Sequence, residues 1–153
     1  MPANTIKIKI KKLHPDAILP SYAHPGDAGM DIYSVEDVII PPKERKTIST
    51  GISMEYPEGY CTLLWDKSGL ASKNGLTVLA GAIEYTYRGE YKVVLLNTSD
   101  QEYVVKKGDK IAQVIVLPVI TAETEEVSEL SDSVRGSGGF GSTGLVKNSA
   151  NSK

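Results

Sequence analysis

Ile6, Ile8 and Ile10 alternate with Lys7, Lys9 and Lys11, so an extended segment there has one apolar and one charged face. A period of two is that of a β-strand with one solvated side, and the lysines also suit an edge, where charge opposes unwanted pairing. Short apolar runs predict further strands over Val38–Ile40, Thr47–Glu55, Tyr60–Trp65, Leu76–Leu79, Tyr91–Asn97, Glu102–Val105 and Ile111–Ile120. Turn-forming residues separate them at Pro41-Pro42, Pro57-Glu58-Gly59, Arg88-Gly89 and Lys107-Gly108-Asp109. Many short strands so closely punctuated predict a sandwich, jelly roll or barrel, not alternating βαβ units. Helical signal is confined to Ser68–Asn74, a short turn with Ser68 near its start and Gly75 at its end. Ala122–Leu130 is acidic, carries only Val127 and Leu130 on one stripe, and is expected to be irregular.

Beyond Leu130 the pattern stops. Ser131–Gly144 reads SDSVRGSGGFGSTG, with five glycines among the nine residues from Gly136 to Gly144. Such a segment has high backbone entropy and little to bury, and mobility is expected of it. The expected organisation is a β-domain over 1–130, a mobile glycine-rich lid motif over 131–144 and a disordered terminus over 145–153. At 153 residues there is room for one main core. The net charge of −2 gives no general attraction to nucleic-acid backbone or anionic lipid, so neither is an expected partner. The lone Cys61 excludes an internal disulfide and fits a reducing compartment. With no signal-like apolar segment at the N-terminus and no membrane-spanning stretch, a cytoplasmic protein is expected.

Four segments combine glycine with polar residues in ways that packing does not require. In GDAGMDIYS, Asp27 and Asp31 stand with two glycines, Gly26 and Gly29, before an apolar run, which also describes a plain structural turn. In WDKSGLA, Ser68 and Gly69 open a helical turn whose backbone N–H groups can face an anion, with Lys67 adding charge. In AGAIEYTYRGE, a glycine-bracketed hairpin carries Glu84 beside Ile83, a partly shielded carboxylate and candidate general base, or else a solvated hairpin glutamate. The fourth is the glycine-rich tail, where Phe140, the only phenylalanine, sits with Arg135. An aromatic and an arginine on a flexible arm suit closure over a ligand that has both a base and phosphates.

Together and in this order, GDAGMDIYS, WDKSGLA, GAIEYTYRGE, KKGDKIAQ and RGSGGFGSTG resemble the five motifs of the trimeric dUTPase family, the deoxyuridine triphosphate nucleotidohydrolases. The resemblance implies an all-β distorted barrel or jelly roll with a flexible glycine-rich C-terminal arm. It also implies a homotrimer whose active sites are shared between subunits. The implied reaction is hydrolysis of dUTP to dUMP and pyrophosphate, which limits uracil incorporation into DNA and supplies dUMP for thymidylate synthesis. Mg²⁺ is implied as cofactor, held by phosphates and water, with Asp31 ordering its water shell and making no direct bond. Ser68 and Gly69 match phosphate contacts, and Gly81, Ala82 and Ile83 match the backbone that reads the uracil edge. Tyr87 matches the tyrosine under the deoxyribose, Gln113 the glutamine near the α-phosphate and Arg135 the γ-phosphate arginine. Phe140 matches the uracil lid, with Gly141, Ser142 and Thr143 completing the tail contacts.

Two positions depart from the family pattern. Lys67 replaces the usual arginine and supplies a point charge without a bidentate fork. Glu84 replaces the aspartate that orients and deprotonates the attacking water, which places the carboxylate one methylene farther from the backbone. That change keeps open a non-catalytic or weakly catalytic dUTP-binding regulatory module. A dCTP deaminase is disfavoured, because Val93 and Val94 stand where that family carries its catalytic glutamate.

Overall fold

The computed structural model describes residues 5–139. It contains eleven strands and one helix among them: β1 (Lys9–Lys12), β2 (Gly29–Tyr33), β3 (Val38–Ile40), β4 (Arg45–Ser49), β5 (Ile52–Glu55), β6 (Tyr60–Trp65), α1 (Ser68–Asn74), β7 (Leu76–Leu79), β8 (Ala82–Glu84), β9 (Lys92–Asn97), β10 (Tyr103–Val105) and β11 (Lys110–Pro118). The strands form a four-stranded sheet in the order β2-β11-β6-β8, a three-stranded sheet β4-β9-β7, and the pairs β1-β5 and β10-β3. Every pairing is antiparallel. The result is the expected all-β, jelly-roll-like fold, built from several short sheets. No helix among the described residues is long and apolar enough to cross a membrane.

Alternation builds the core. In β9, Val93 and Leu95 point inward and are buried, while Lys92 is exposed. Ile32, Ile40, Ile48, Ile52, Leu76 and Val114 join them from the other strands. At about 25 cal/mol per Å² of apolar surface removed from water, each such side chain favours folding by roughly 1.5–3 kcal/mol. Along the N-terminal segment Ile6, Ile8 and Ile10 are half-buried between exposed lysines, as the period of two predicts.

The expected strand over Thr47–Glu55 is two strands, because Gly51 between them adopts φ 67° and turns the chain. Two strands were not foreseen. β2 contains Gly29 and Asp31, both poor strand formers, and is held by pairing with β11. β8 has only three residues and pairs with β6. The segment read as a hairpin over Ala80–Glu90 therefore does not close on itself: β7 before it and β9 after it pair with each other in the second sheet. α1 begins as expected but is entered through Lys67, which makes no side-chain cap, and it ends at Gly75 in the left-handed region.

The chain divides into two units, Met1–Ile120 and Thr121–Lys153. The described part of the second has no helix or strand. In its described part the chain turns at Ser133–Gly138, where Gly136 N–H donates to the Ser133 carbonyl at 3.1 Å and Arg135 Nε to the Gly138 carbonyl at 2.8 Å.

Candidate active site

Three of the sequence motifs meet at one end of the four-stranded sheet. Gln113 of β11 stands in register with Asp31 of β2 on one side and Trp65 of β6 on the other, so the three share a face. Asp31 is only 5% exposed, yet it is an anion with both oxygens occupied. Lys67 Nζ donates to Oδ1, and Lys110 Nζ donates to Oδ2 at 2.6 Å. Burial alone raises the Asp31 pKa, but hydrogen bonds and charge from Lys110 and Lys67 outweigh it and hold the carboxyl below its ordinary value. The same contact raises the Lys110 pKa, through the Asp31 hydrogen bond first and its charge second.

Lys110 was not singled out from sequence. Strict alternation puts residues 110 and 113 on opposite faces of a strand. The β11–β2 register shifts between Lys110 and Ala112, a bulge that lets Ile111 and Ala112 both turn inward. Lys110 thus returns to the face of Asp31 and Gln113. Nothing in the residue pattern announces that bulge.

Asp66 fixes the entry to α1. Its carboxylate accepts from Val78 N–H at 2.5 Å and Thr77 Oγ1 at 3.0 Å, while its carbonyl accepts from Gln113 Nε2 at 2.7 Å. This clasp holds Lys67 and the exposed Ser68 and Gly69 beside Asp31 and Gln113. A cleft of about 290 Å³ opens next to it, lined by Trp65, Asp66, Thr77, Val78, Gly81 and Ala82 among others. Trp65, the only tryptophan, is 56% exposed there.

The second group of motif residues lies along β8, the outer strand of the sheet. Leu64 N–H donates to the Gly81 carbonyl at 2.8 Å, which sets the alternation so that Ala82 presents its N–H and C=O to the open edge. Gly81 is needed for that approach, since a Cβ there would lie 2.4 Å from the Leu64 carbonyl oxygen. After Glu84 the chain turns, with Tyr87 N–H donating to the Glu84 carbonyl at 3.1 Å. Arg88 Nη1 donates to the carbonyls of Tyr85 at 2.5 Å and Tyr87 at 2.9 Å, which stiffens the apex. Tyr87 is 43% exposed, and its ring leaves no room for a side chain on Gly89.

Glu84 departs from the expected shielding. It is exposed, and its carboxylate makes no hydrogen bond or ion pair with any described residue. β8 is an edge strand, so no strand of the same sheet pairs along its outer side. Glu84 pairs with Cys61, four residues down β6 from Trp65 and three strands across from β2. Strand spacing and rise put it about 14 Å across and about 13 Å along the sheet from Asp31. One chain therefore brings Asp31, Lys67, Ser68, Gly69 and Gln113 together, and separately Gly81, Ala82, Ile83, Glu84 and Tyr87. Arg135 lies in the second unit and is exposed. Phe140, Gly141, Ser142 and Thr143 lie outside the described residues.

No group of three or more His, Cys, Asp or Glu among the described residues could hold a metal ion directly. An ion carried in by phosphates and wrapped in water fits the donor set, because Asp31 is a buried carboxylate held below its ordinary pKa and accepts water hydrogens.

Comparison with known proteins places these features in a family. The dUTPase family model matches residues 15–144. A deoxyuridine 5'-triphosphate nucleotidohydrolase from Clostridioides difficile is 53% identical over 140 residues, covering 90% of this chain and 98% of the relative. One from Hydrogenobaculum sp. is 50% identical over 143 residues, covering 92% and 99%. Among solved structures, Staphylococcus bacteriophage 80alpha dUTPase with dUPNHPP superposes with a TM-score of 0.86 at 32% identity, covering 91% of this chain and 99% of that one. A variant dUTPase from phage phi11 of S. aureus, in which coordination of a structural Mg(II) ion was described, has a TM-score of 0.77 at 28% identity, covering 82% and 99%. By a family match over most of its length and relatives at half identity, the chain belongs to the dUTPase family.

Proposed function

We propose that this protein hydrolyses dUTP to dUMP and pyrophosphate at sites shared between the subunits of a homotrimer. One observation carries the proposal. The polar cluster of Asp31, Lys67 and Gln113 and the open edge of Gly81–Glu84 are complementary halves of a nucleotide site that one chain holds apart. The first half suits a triphosphate, with Lys67 and the backbone at Ser68 and Gly69 facing anionic oxygens and Gln113 near the α-phosphate. The second suits a base and sugar. The Ala82 N–H and C=O offer a donor and an acceptor to a uracil edge, and cytosine, whose 4-amino group replaces an acceptor, mismatches them. Tyr87 packs under the deoxyribose and opposes a 2′-hydroxyl.

Bound with the triphosphate, Mg²⁺ supplies Lewis-acid neutralisation of phosphate charge. Asp31 orders water around that charge and stays ionised to do so. Glu84 takes the proton of a water that attacks the α-phosphorus in line, and pyrophosphate leaves on the opposite side. Its exposure in one chain supports a role completed by a neighbouring subunit. Arg135 grips the γ-phosphate, and Phe140 closes over the base with Gly141, Ser142 and Thr143. A reducing cytoplasmic setting suits the free thiol of Cys61.

Release of dUMP and pyrophosphate from dUTP, run beside dCTP, dTTP and UTP with and without Mg²⁺, tests this directly. Selective, magnesium-dependent hydrolysis of dUTP is expected. Tight binding of dUTP without pyrophosphate release supports the regulatory module in its place.

A further inference from the structure

A chain of buried hydroxyls lies directly behind the segment that carries Ile83, Glu84 and Tyr87. Thr62 and Tyr91 are fully buried and Tyr56 is nearly so. Tyr56 Oη donates to the Ile83 carbonyl at 2.7 Å and lies 3.4 Å from Thr62 Oγ1, which shares a hydrogen bond of 2.9 Å with Tyr91 Oη. The Tyr91 ring in turn packs against Tyr87, with centroids 6.3 Å apart and planes tilted by 53°. The network therefore begins at the strand facing the base and ends at the ring facing the sugar.

Neighbouring contacts clamp the same segment from behind. Ser53 Oγ donates to the Arg88 carbonyl at 2.9 Å, and Tyr91 N–H donates to the Ile52 carbonyl at 2.9 Å. Burial pushes the Tyr91 hydroxyl far above its ordinary value, so it stays a neutral hydrogen-bonding group. Phenylalanine and valine would fill the same volume without desolvating hydroxyls, so packing alone does not call for these residues. What the hydroxyls add is direction, since each bond fixes a distance and an angle that apolar contact leaves loose.

We propose that Tyr56, Thr62 and Tyr91 are positioning residues that set the spacing between the Ile83 strand and the Tyr87 ring, and thereby govern selectivity among nucleotides. The proposal rests on the assignment of Gly81–Ile83 to the base and Tyr87 to the sugar. Loss of the Tyr56 bond leaves the Ile83 carbonyl held by its β6 pairing alone, and Ala82 beside it shifts relative to the base edge. Loss of the Thr62–Tyr91 bond lets the Tyr91 ring, and with it Tyr87, shift beneath the sugar.

The test compares Tyr56→Phe, Thr62→Val and Tyr91→Phe with the parent in steady-state kinetics on dUTP, dCTP and UTP, together with thermal melting. KM for dUTP should rise about 5–20-fold while kcat stays within about threefold, and preference for dUTP should fall about tenfold. Tyr56→Phe should weaken discrimination against dCTP, and Tyr91→Phe discrimination against UTP. Thr62→Ser, which keeps the hydroxyl, should behave as the parent. Calorimetric binding of dUPNHPP, dCTP and UTP reads the same selectivity independently of turnover. A parent that binds dUPNHPP selectively but does not hydrolyse dUTP counts against the catalytic assignment, while the binding comparison still tests the network. Variants that melt lower yet keep the parent's KM and selectivity would overturn the proposal and reduce the network to packing.

Discussion

The carboxylate of Asp31 sits inside the fold with an ammonium group on each oxygen, so its protonation is tied to folding. Because the folded pKa is held below the unfolded value of about 4, its contribution to stability is present above that value and disappears as pH falls through the folded one. Urea midpoints measured from pH 6 down to pH 2 should fall more steeply for the parent than for Asp31→Asn below about pH 4; parallel curves would mean the ion cluster is not coupled to folding. At Glu84 the issue is chemistry. Glu84→Gln keeps shape but cannot take a proton, and should lower turnover by about 10²–10⁴-fold while dUPNHPP still binds. An unchanged rate would place water activation elsewhere. Glu84→Asp should also be slower, because the Tyr56 bond to Ile83 fixes the depth of the strand and a shorter carboxylate then falls short of the water.

Strands and loops set how far those side chains can reach, and β8 depends on one close approach. Gly81→Ala forces a Cβ against the Leu64 carbonyl, a backbone group that cannot swing aside, so β8 must move outward. A stability loss of about 1–3 kcal/mol with a marked rise in KM for dUTP is expected from urea titration and kinetics. The glycine-rich arm should behave in the opposite way. Residues 131–137 are exposed, and truncation after Leu130 should leave the melting temperature nearly unchanged, yet it should nearly abolish hydrolysis. A truncated protein with the parent rate would remove Arg135 and Phe140 from the site. These elements also mark what could be seen in the sequence. β6, α1 and β7 fall on their expected residues, because apolar runs and clear turn signals bound them. β2 was hidden by Gly29 and Asp31, whose strand character comes from pairing with β11 and not from local preference. The motifs pointed to Asp31, Lys67, Gln113 and Glu84 by resemblance. Lys110 and the Tyr56–Thr62–Tyr91 network depend on a bulge and on tertiary packing, which no local pattern encodes.

At the scale of the whole molecule, one chain holds the two motif groups apart. Three strand spacings and four residues of rise stand between Asp31 and Glu84, and the sheet between them is rigid antiparallel structure. In the homotrimer proposed above, a neighbouring copy supplies the missing half, and a threefold ring closes such head-to-tail contacts. The most direct measurement is complementation. A Lys67→Gln chain and a Glu84→Gln chain, each nearly inactive alone, are co-expressed in equal amounts so that mixed trimers form. If each site takes its phosphate half from one copy and its base half from another, about a quarter of the sites combine two intact halves, and about that fraction of parent activity should return. A mixture no more active than its two components, despite proven subunit mixing, would show that each site lies within a single chain and would contradict the account.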